Sequence, residues 1–341
     1  MTVVDGDAGR RVMRQPLTFA LLRLLVEGEF HSGEALARRL GISRASVSNA
    51  LRGVEDYGLS LYSVRGRGYC LNNPPQWLDA ASIAHHLGEQ GHPFKIEILD
   101  SAPSSNTLLL HRAAQGAPSG TVLAVEWQSG GRGRLGRAWH SSLGNALTFS
   151  LLWRFELGLS ALSGLSLAAG VALIRALRAF GISSAQLKWP NDVLAEEGKL
   201  AGILIEAQGD MLGPSAVVIG IGLNLSMPRH LLPQIEQPVT SLQDMAVAMP
   251  ERNALLAKIL QELQVVLHQF ATQGFATLRA EWERYDVWQS QTVRVVLPDG
   301  NSTVGIARGV TDNGALVLET AHGRKIFNAG EISLREKNVT D

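Results

Sequence analysis

Apolar residues recur at helical spacing from Leu17 to Val26 (LTFALLRLLV) and stop at Gly28, which predicts a first helix. A second short helix is expected from Ser32 as N-cap through EALARRL to Gly41. A third is expected from Ser43 through RASVSNALRGVEDY to Gly58. Each serine offers a side-chain acceptor to the free backbone N–H groups of the first turn. Helix, glycine turn and helix at this spacing form a helix-turn-helix pattern. Two strand-like runs follow, Leu59–Val64 and Tyr69–Leu71, joined by Arg65-Gly66-Arg67-Gly68. A basic hairpin in that position reads as a wing. Asn72-Asn73-Pro74-Pro75 then breaks regular structure and marks a linker.

From about Trp77 to Asp286 the two periods mix. Thr121–Trp127, Leu147–Trp153, Leu200–Glu206 and Ala216–Leu225 are strand-like, whereas Leu162–Phe180 and Asn253–Phe270 are helical. This is α/β in composition without a regular β-α-β repeat. The end of the chain differs again. Short runs at 292–297, 303–310, 315–319 and 324–328 are separated by Asp299-Gly300, Asn313-Gly314 and His322-Gly323, which predicts a small antiparallel barrel. The expected fold class is α+β multidomain, divided at 1–75, 76–286 and 287–341.

Composition sharpens this picture in three ways. At 341 residues, two or three domains are expected, and 45% hydrophobic with 18% charged residues is globular. Lys+Arg 31 balances Asp+Glu 31, but the balance is uneven. Residues 1–70 hold ten Arg, no Lys and seven acids (+3), and the remainder is −3, so an anionic partner is expected for that end alone. The lone Cys70 excludes an internal disulfide framework and a cysteine-rich zinc site. The start, MTVVDGDAGRRVMRQ, lacks the apolar core of a signal peptide. Leu157 to Ile174 is uncharged but holds three Gly and three Ser, so it reads as a buried helix rather than a membrane span. A soluble, cytoplasmic chain is expected.

The densest chemistry lies in Gly130-Gly131-Arg132-Gly133-Arg134-Leu135-Gly136-Arg137, followed by Ala138-Trp139. Its G-x-G-x-x-G match leads into another strand rather than a helix, so a dinucleotide fold is excluded, and no P-loop occurs. Glycines let the backbone fold closely around a ligand, and guanidinium forks grip phosphate or carboxylate at two points. The alternative is a solvated basic loop. Two of only six lysines flank a turn in Lys188-Trp189-Pro190-Asn191-Asp192 and Gly198-Lys199. Lys199, at a strand start, is placed to stabilise negative charge; the alternative is an ordinary surface turn. Gly220 and Gly222 inside an apolar strand mark either close approach by a ligand or simple packing. Ser104-Ser105-Asn106 suits a ligand contact or a helix cap. The nine histidines show no ligand spacing, and no metal site is assigned. On the third helix, Arg44, Ser46, Ser48, Asn49 and Arg52 can face base edges, with Arg65 and Arg67 of the wing on phosphate.

Together these residues resemble the biotin protein ligases, of the bifunctional kind that also represses biotin-synthesis genes. The resemblance covers nearly the whole chain. It rests on GRGRLGRAW (131–139), KWPND (188–192), GKLAGILIE (198–206) and IGIGLN (219–224), in the family's order. EFHSGEALARRLGISRASVSNAL (29–51) is similar to the family's N-terminal winged helix. The resemblance implies a winged helix, a central domain like the class II aminoacyl-tRNA synthetases with a mixed sheet, and a C-terminal SH3-like barrel. It implies activation of biotin with ATP to biotinyl-5′-AMP, with Mg²⁺ offsetting phosphate charge. Transfer to a lysine of the biotin carboxyl carrier of acetyl-CoA carboxylase then follows.

By resemblance, Arg134 and Lys199 act at the reacting centre. Ser104, Ser105, Asn106, Gln128, Gly131, Arg132, Lys199, Gly220 and Gly222 hold biotin. Arg134, Arg137, Trp139, Asn191, Asp192 and Asn224 serve ATP. Two departures stand out. The family's Asp-Ser-Thr-Asn is interrupted here by Ala102-Pro103, leaving Ser101, Ser104 and Ser105 as candidates for the biotin contact. Leu135 stands where some relatives carry a basic residue. Adenylate-promoted homodimers binding operator DNA are the implied regulation. The alternatives are a non-catalytic biotin-sensing repressor and a lipoate or octanoate ligase.

Overall fold

Two serine caps set the start of the paired helices. Ser32 Oγ accepts the Ala35 N–H and Ser43 Oγ accepts the Ser46 N–H, both at 3.0 Å. The computed structural model describes residues 16–341 except 89–91, 197, 229–231, 236, 246–247, 298–300, 329–332 and 337–341. A first helix, α1, spans 16–24, followed by α2 (Gly33–Leu40) and α3 (Arg44–Leu51). The third helix does not run to Gly58. Arg52 turns extended and Gly53 takes φ +82°, leaving one 3-10 turn over Val54–Tyr57. Strands β1 (Ser60–Val64) and β2 (Gly68–Asn72) form the wing, and Tyr69 also pairs with His31 through bonds of 2.8 and 2.9 Å.

The central region contributes α4 (Ala80–Leu87), β3 (Lys95–Ala102), α5 (Ser105–Ala114), β4 (Thr121–Gln128) and the short strands β5 (Gly131–Arg132) and β6 (Ala138–Trp139). It continues through β7 (Ala146–Phe155), α6 (Leu165–Ala179), β8 (Gln186–Lys188), β9 (Asp192–Ala195), β10 (Gly198–Gly209), β11 (Ser215–Asn224), α7 (Arg252–Gln273) and α8 (Arg279–Arg284). Seven strands form one sheet in the order β3-β4-β7-β11-β10-β9-β8. β3 and β4 run parallel and the other neighbours antiparallel, so the sheet is mixed, as expected. Neither α5 nor β9, which border the site below, nor β3 was among the expected elements.

Strand alternation gives the sheet two different faces. Leu147, Phe149, Leu151, Ile219 and Ile221 pack with α6 and α7 in the main core. Leu123, Val125, Leu152, Ala216 and Val218 pack with Leu109 and Ala113 of α5 in a smaller one. The C-terminal strands β12 (Thr292–Val296), β13 (Ser302–Val310), β14 (Leu316–Thr320), β15 (Gly323–Phe327) and β16 (Ser333–Glu336) form an antiparallel sheet ordered β15-β14-β13-β12-β16. Four of these match the expected runs and β16 is additional. The expected turn at Asp299-Gly300 lies outside the described residues. The indole N–H of Trp189 donates to Gly314 O at 3.0 Å and ties this sheet to the central one. Among the described residues, no helix is long and apolar enough to cross a membrane.

The segment after the Asn72–Pro75 break is held by a buried ion pair. Arg252, at the start of α7, reaches Glu126 of β4 at 2.9 Å, with side chains 4% and 0% exposed. Glu126 also accepts the Leu78 N–H at 2.6 Å, and Arg252 donates to Gln76 O and Ala146 O. Asp79 N–H donates to Asn253 Oδ1 at 2.8 Å. At the opposite seam, burial pushes the Asp286 carboxyl up to about 6; the Trp288 N–H opposes that shift and Glu283 adds to it.

Arg252→Leu strands the Glu126 carboxylate in the interior and is expected to cost about 3–5 kcal/mol, read from urea unfolding. The native state binds the Asp286 proton more tightly than the unfolded chain, whose carboxyl has the ordinary value. That contribution therefore favours the fold at low pH and is lost as pH rises through about 6. Asp286→Asn is expected to raise stability at pH 8 by up to about 3 kcal/mol and to change it little at pH 4, read from denaturant midpoints at both pH values.

Candidate functional site

The face of the sheet that carries α5 changes character along its strands. β11 presents Ala216 and Val218, then Gly220 and Gly222; β7 presents Leu152, then Ser150 and Thr148. In register beside them, β10 presents Leu204 opposite Gly220 and Gly202 opposite Gly222. Large side chains give way to glycines and small hydroxyl residues, and a cavity opens above them. A Cβ on Gly220 would overlap Asn106 Oδ1. One on Gly222 would overlap the Trp139 indole and stand 2.9 Å from its Nε1. The glycines thus admit these two side chains to the floor.

One half of the cavity is a closed polar network. Gln128 Oε1 accepts the Ser105 N–H at 2.6 Å. Asn106 donates to Leu204 O at 3.2 Å and to Glu206 at 3.0 Å, which leaves its Oδ1 to accept from Ser150 Oγ at 2.6 Å. A hydroxyl has one proton, so Ser150 receives the Ser105 hydroxyl at 2.7 Å rather than donating to it. Ser105 is left with lone pairs for a donor in the cavity.

The other half is cationic. Lys199 pairs with Asp192 at 2.7 Å, both largely buried. Arg134 donates to Asn191 Oδ1 at 3.2 Å, and Asn191 donates to Ile203 O at 2.9 Å. Burial pulls Arg134 below the usual guanidinium value; Asp192 opposes this shift and Arg137 adds to it. The loop carrying the arginines is a small hairpin. β5 and β6 pair Gly131 with Trp139 and Arg132 with Ala138, and the tip turns through Leu135 at φ +57°. Arg132 donates to Glu206 at 2.9 and 3.0 Å and to Thr107 Oγ1 at 2.9 Å, so the hairpin is latched to β10 and α5. Trp139 lies between the halves, over Gly202 and Gly222.

Most of the expected residues meet here. Ser104, Ser105, Asn106, Gln128, Arg132, Arg134, Arg137, Trp139, Asn191, Asp192, Lys199, Gly220 and Gly222 all line the cavity. Two do not. Gly131 supports the hairpin instead, since a Cβ there would stand 2.5 Å from Trp139 O. Asn224 is buried and donates to Lys199 O and Thr240 O, both at 3.1 Å, so it braces the backbone behind Lys199. Of the three candidate serines, Ser101 stays on β3, while Ser104 caps α5 through Thr107 N at 3.4 Å. Residues the sequence reading missed are Thr107, Thr148, Ser150, Glu206 and Gln237. Their one legible signal was Thr148 and Ser150, two polar residues at strand spacing in an apolar run.

A second surface lies on the N-terminal domain. Arg44, Ser48 and Asn49 are exposed along α3 and Arg52 at its end, and Arg65 and Arg67 are exposed on the wing. Ser46 is half-buried and its hydroxyl meets Ser43 Oγ at 2.9 Å, so it serves the cap. Arg67 stacks over Phe30 at 4.0 Å. This domain rests on the central one. Arg23 pairs with Asp100 at 2.5 Å, Tyr57 meets Trp127 edge-on at 4.8 Å, and Leu143 is buried in the N-terminal core.

Comparison with known proteins bears on both surfaces. The biotin/lipoate A/B protein ligase family matches residues 98–224, the biotin protein ligase C-terminal domain 291–335, and a helix-turn-helix domain 18–70. The bifunctional ligase/repressor BirA of Salmonella typhimurium is 38% identical over 320 residues, 94% of this chain and 97% of its own. The biotin–[acetyl-CoA-carboxylase] ligase of Mycobacterium tuberculosis is 36% identical over 265 residues, 76% of this chain and 96% of its own. A solved biotin protein ligase from Aquifex aeolicus, in complex with biotin and ATP, superposes with a TM-score of 0.62 at 28% identity, covering 71% of this chain and 99% of that one.

The latch on Arg132 can be tested directly. Glu206→Gln weakens a half-exposed charge pair worth about 0.2–1 kcal/mol. Trypsin is therefore expected to cut within 132–137 up to a few-fold faster, read by mass spectrometry of the first fragments.

Proposed function

The chain belongs to the family of bifunctional biotin protein ligases that also act as repressors, and we propose how its own residues divide that work. The protein activates biotin with ATP to biotinyl-5′-AMP, transfers biotin to a carrier protein, and regulates transcription through its helix-turn-helix. We assign DNA reading to 1–75, ligation to 76–286 and the accessory sheet to 287–341.

One observation carries the assignment of roles. A neutral polar network and a cluster of cations face each other across a floor cleared by Gly202, Gly220 and Gly222. The network suits the uncharged urea of biotin: Ser105 accepts a ring N–H, while Gln128, Ser150 and Asn106 hold that hydroxyl and its helix end in place. The valerate then points toward Lys199. The carboxylate oxygen attacks the α-phosphorus, the bond to pyrophosphate breaks, and a mixed anhydride remains. Lys199 and Arg134 stabilise the charge that builds on the phosphoryl oxygens. Arg132 leaves Glu206 to cover the acyl adenylate, and Arg137 reaches the departing phosphates. The carrier lysine amine then attacks the acyl carbon and AMP leaves. Burial of the cavity floor keeps water from the labile anhydride.

Mg²⁺ fits this donor set. Among the described residues no group of three or more His, Cys, Asp or Glu forms a protein cage, whereas Asp192 stands beside the phosphate-binding cations. Asp192, with phosphate oxygens, suits an ion that keeps few protein ligands and offsets phosphate charge. For regulation, we place Arg44, Ser48, Asn49 and Arg52 at base edges and Arg65 and Arg67 on phosphate, with Ser46 supporting the start of α3. The carrier is assigned to acetyl-CoA carboxylase, and the adenylate-bound chain to a homodimer on operator DNA.

Biotin-dependent ATP–pyrophosphate exchange, with lipoate as control, tests the catalytic assignment. Exchange is expected with biotin alone, and Lys199→Met is expected to lose about 100-fold or more. Exchange with neither acid overturns the catalytic roles in favour of a sensing repressor. In a gel shift, biotin plus ATP is expected to tighten operator binding, and Arg44→Ala to weaken it about 5- to 150-fold, as for a lost base contact. Binding indifferent to biotin and ATP overturns the regulatory reading.

A further inference from the structure

Apart from Asp192 Oδ1, which is ion-paired with Lys199, two buried polar atoms of the cavity have no hydrogen-bond partner among the described residues: Thr148 Oγ1 and Trp139 Nε1. Thr148 is 5% exposed and lines the cavity. Buried polar groups left unpaired are uncommon in native structures, and two together in a ligand cavity point to a ligand group. Their placement narrows which group that is.

Thr148 of β7 stands in register with Gly222 of β11, which stands in register with Gly202 of β10. The indole spans the two glycines. Its Cζ3 lies 3.6 Å from a Cβ built on Gly202, and its Nε1 lies 2.9 Å from one built on Gly222. The N–H edge is therefore the edge toward β7 and Thr148. Lys199 Nζ lies 3.2 Å from the Cβ built on Gly202, at the Cζ3 end of the ring rather than the N–H end. The unpaired donors are thus separated by the indole from the cations assigned to the carboxylate.

Ser150, two residues along β7 on the same face, is already committed to Ser105 and Asn106. Two strand residues advance about 7 Å. The fused rings of biotin span a comparable length, with the urea at one end and the thioether sulfur at the other. With the urea at Ser105 and Ser150 and the carboxylate at Lys199, the sulfur is the acceptor left over. Trp139 Nε1 can only donate, and a soft thioether suits the edge of an aromatic ring. We propose that Thr148 and Trp139 form a subsite for the ring sulfur of biotin, and that this subsite discriminates biotin from sulfur-free analogues. The proposal rests on the biotin-binding reading given above.

The test is calorimetric titration of the full-length protein with biotin and with desthiobiotin, which keeps the urea and the acid chain but lacks the sulfur. Thr148→Val removes the hydroxyl at nearly constant shape and is expected to weaken biotin about three- to tenfold, the range of one neutral hydrogen bond, with desthiobiotin unchanged. Thr148→Ser is expected to keep the wild-type preference. Trp139→Phe, which removes the other donor, is expected to narrow the preference as Thr148→Val does. Equal losses for both ligands, or no loss for either, overturn the sulfur subsite while the biotin reading stands. Wild-type protein that binds neither ligand overturns both.

Discussion

A single buried charge pair, Glu126 with Arg252, holds together segments that are far apart in the chain. Glu126 lies on β4 two residues before Gln128, and Arg252 opens α7. Between them they bind the backbone of Gln76, Leu78 and Ala146. The start of the central domain, the strand leading into the polar network and the strand carrying Thr148 and Ser150 are thereby set against one helix end. Such a pair adds little net stability over apolar residues of the same shape, because both ions lose their hydration. Its effect is on geometry: each partner left alone is a bare interior charge, so alternative placements of these segments are strongly disfavoured.

The site above that frame depends on what was removed from the sheet as much as on what was added. Large residues fill one face of β7, β10 and β11, whereas on the other face they stop where Gly202, Gly220 and Gly222 begin. The polar side chains that enter the gap come from elements distant in sequence: Asn106 from α5, Trp139 from the arginine hairpin and Lys199 from the start of β10. The cations are balanced before any substrate arrives, Lys199 by Asp192 and Arg132 by Glu206. An incoming anion therefore exchanges one partner for another, which limits the cost of burying these charges.

Features that depend on a few neighbouring residues were legible in the sequence. The Ser32 and Ser43 caps, the wing hairpin and the glycine pair of β11 follow from local backbone chemistry. The arginine hairpin was legible because its glycines and guanidinium groups lie within eight residues. What depended on distant pairing was not. Lys95–Ala102 has no clean alternation, because β3 is an edge strand with most residues half-buried. The pattern extends the third helix too far because apolar residues continue past the point where Gly53 turns left-handed. Glu206 and Thr107 carry no such local signal, since only the folded sheet brings them to Arg132. Asn224 sits beside a conspicuous glycine motif that suggests a ligand contact, whereas its amide serves two backbone carbonyls.

The seam between the reading head and the enzyme limits how the two can diverge. Leu143, from the segment after the arginine hairpin, is fully buried among α1, α2 and α3 residues, and its N–H donates to Tyr57 O at 2.8 Å. Gly58 takes φ +82°, and a side chain there would overlap Ser142. The N-terminal domain is therefore not a cartridge, since a foreign winged helix grafted at the Asn72–Pro75 break would arrive without a seat for Leu143. On the reading proposed above, new DNA preferences are accessible through the exposed positions of α3 and the wing, one side chain at a time. Whole-domain exchange would require the catalytic domain to change with it.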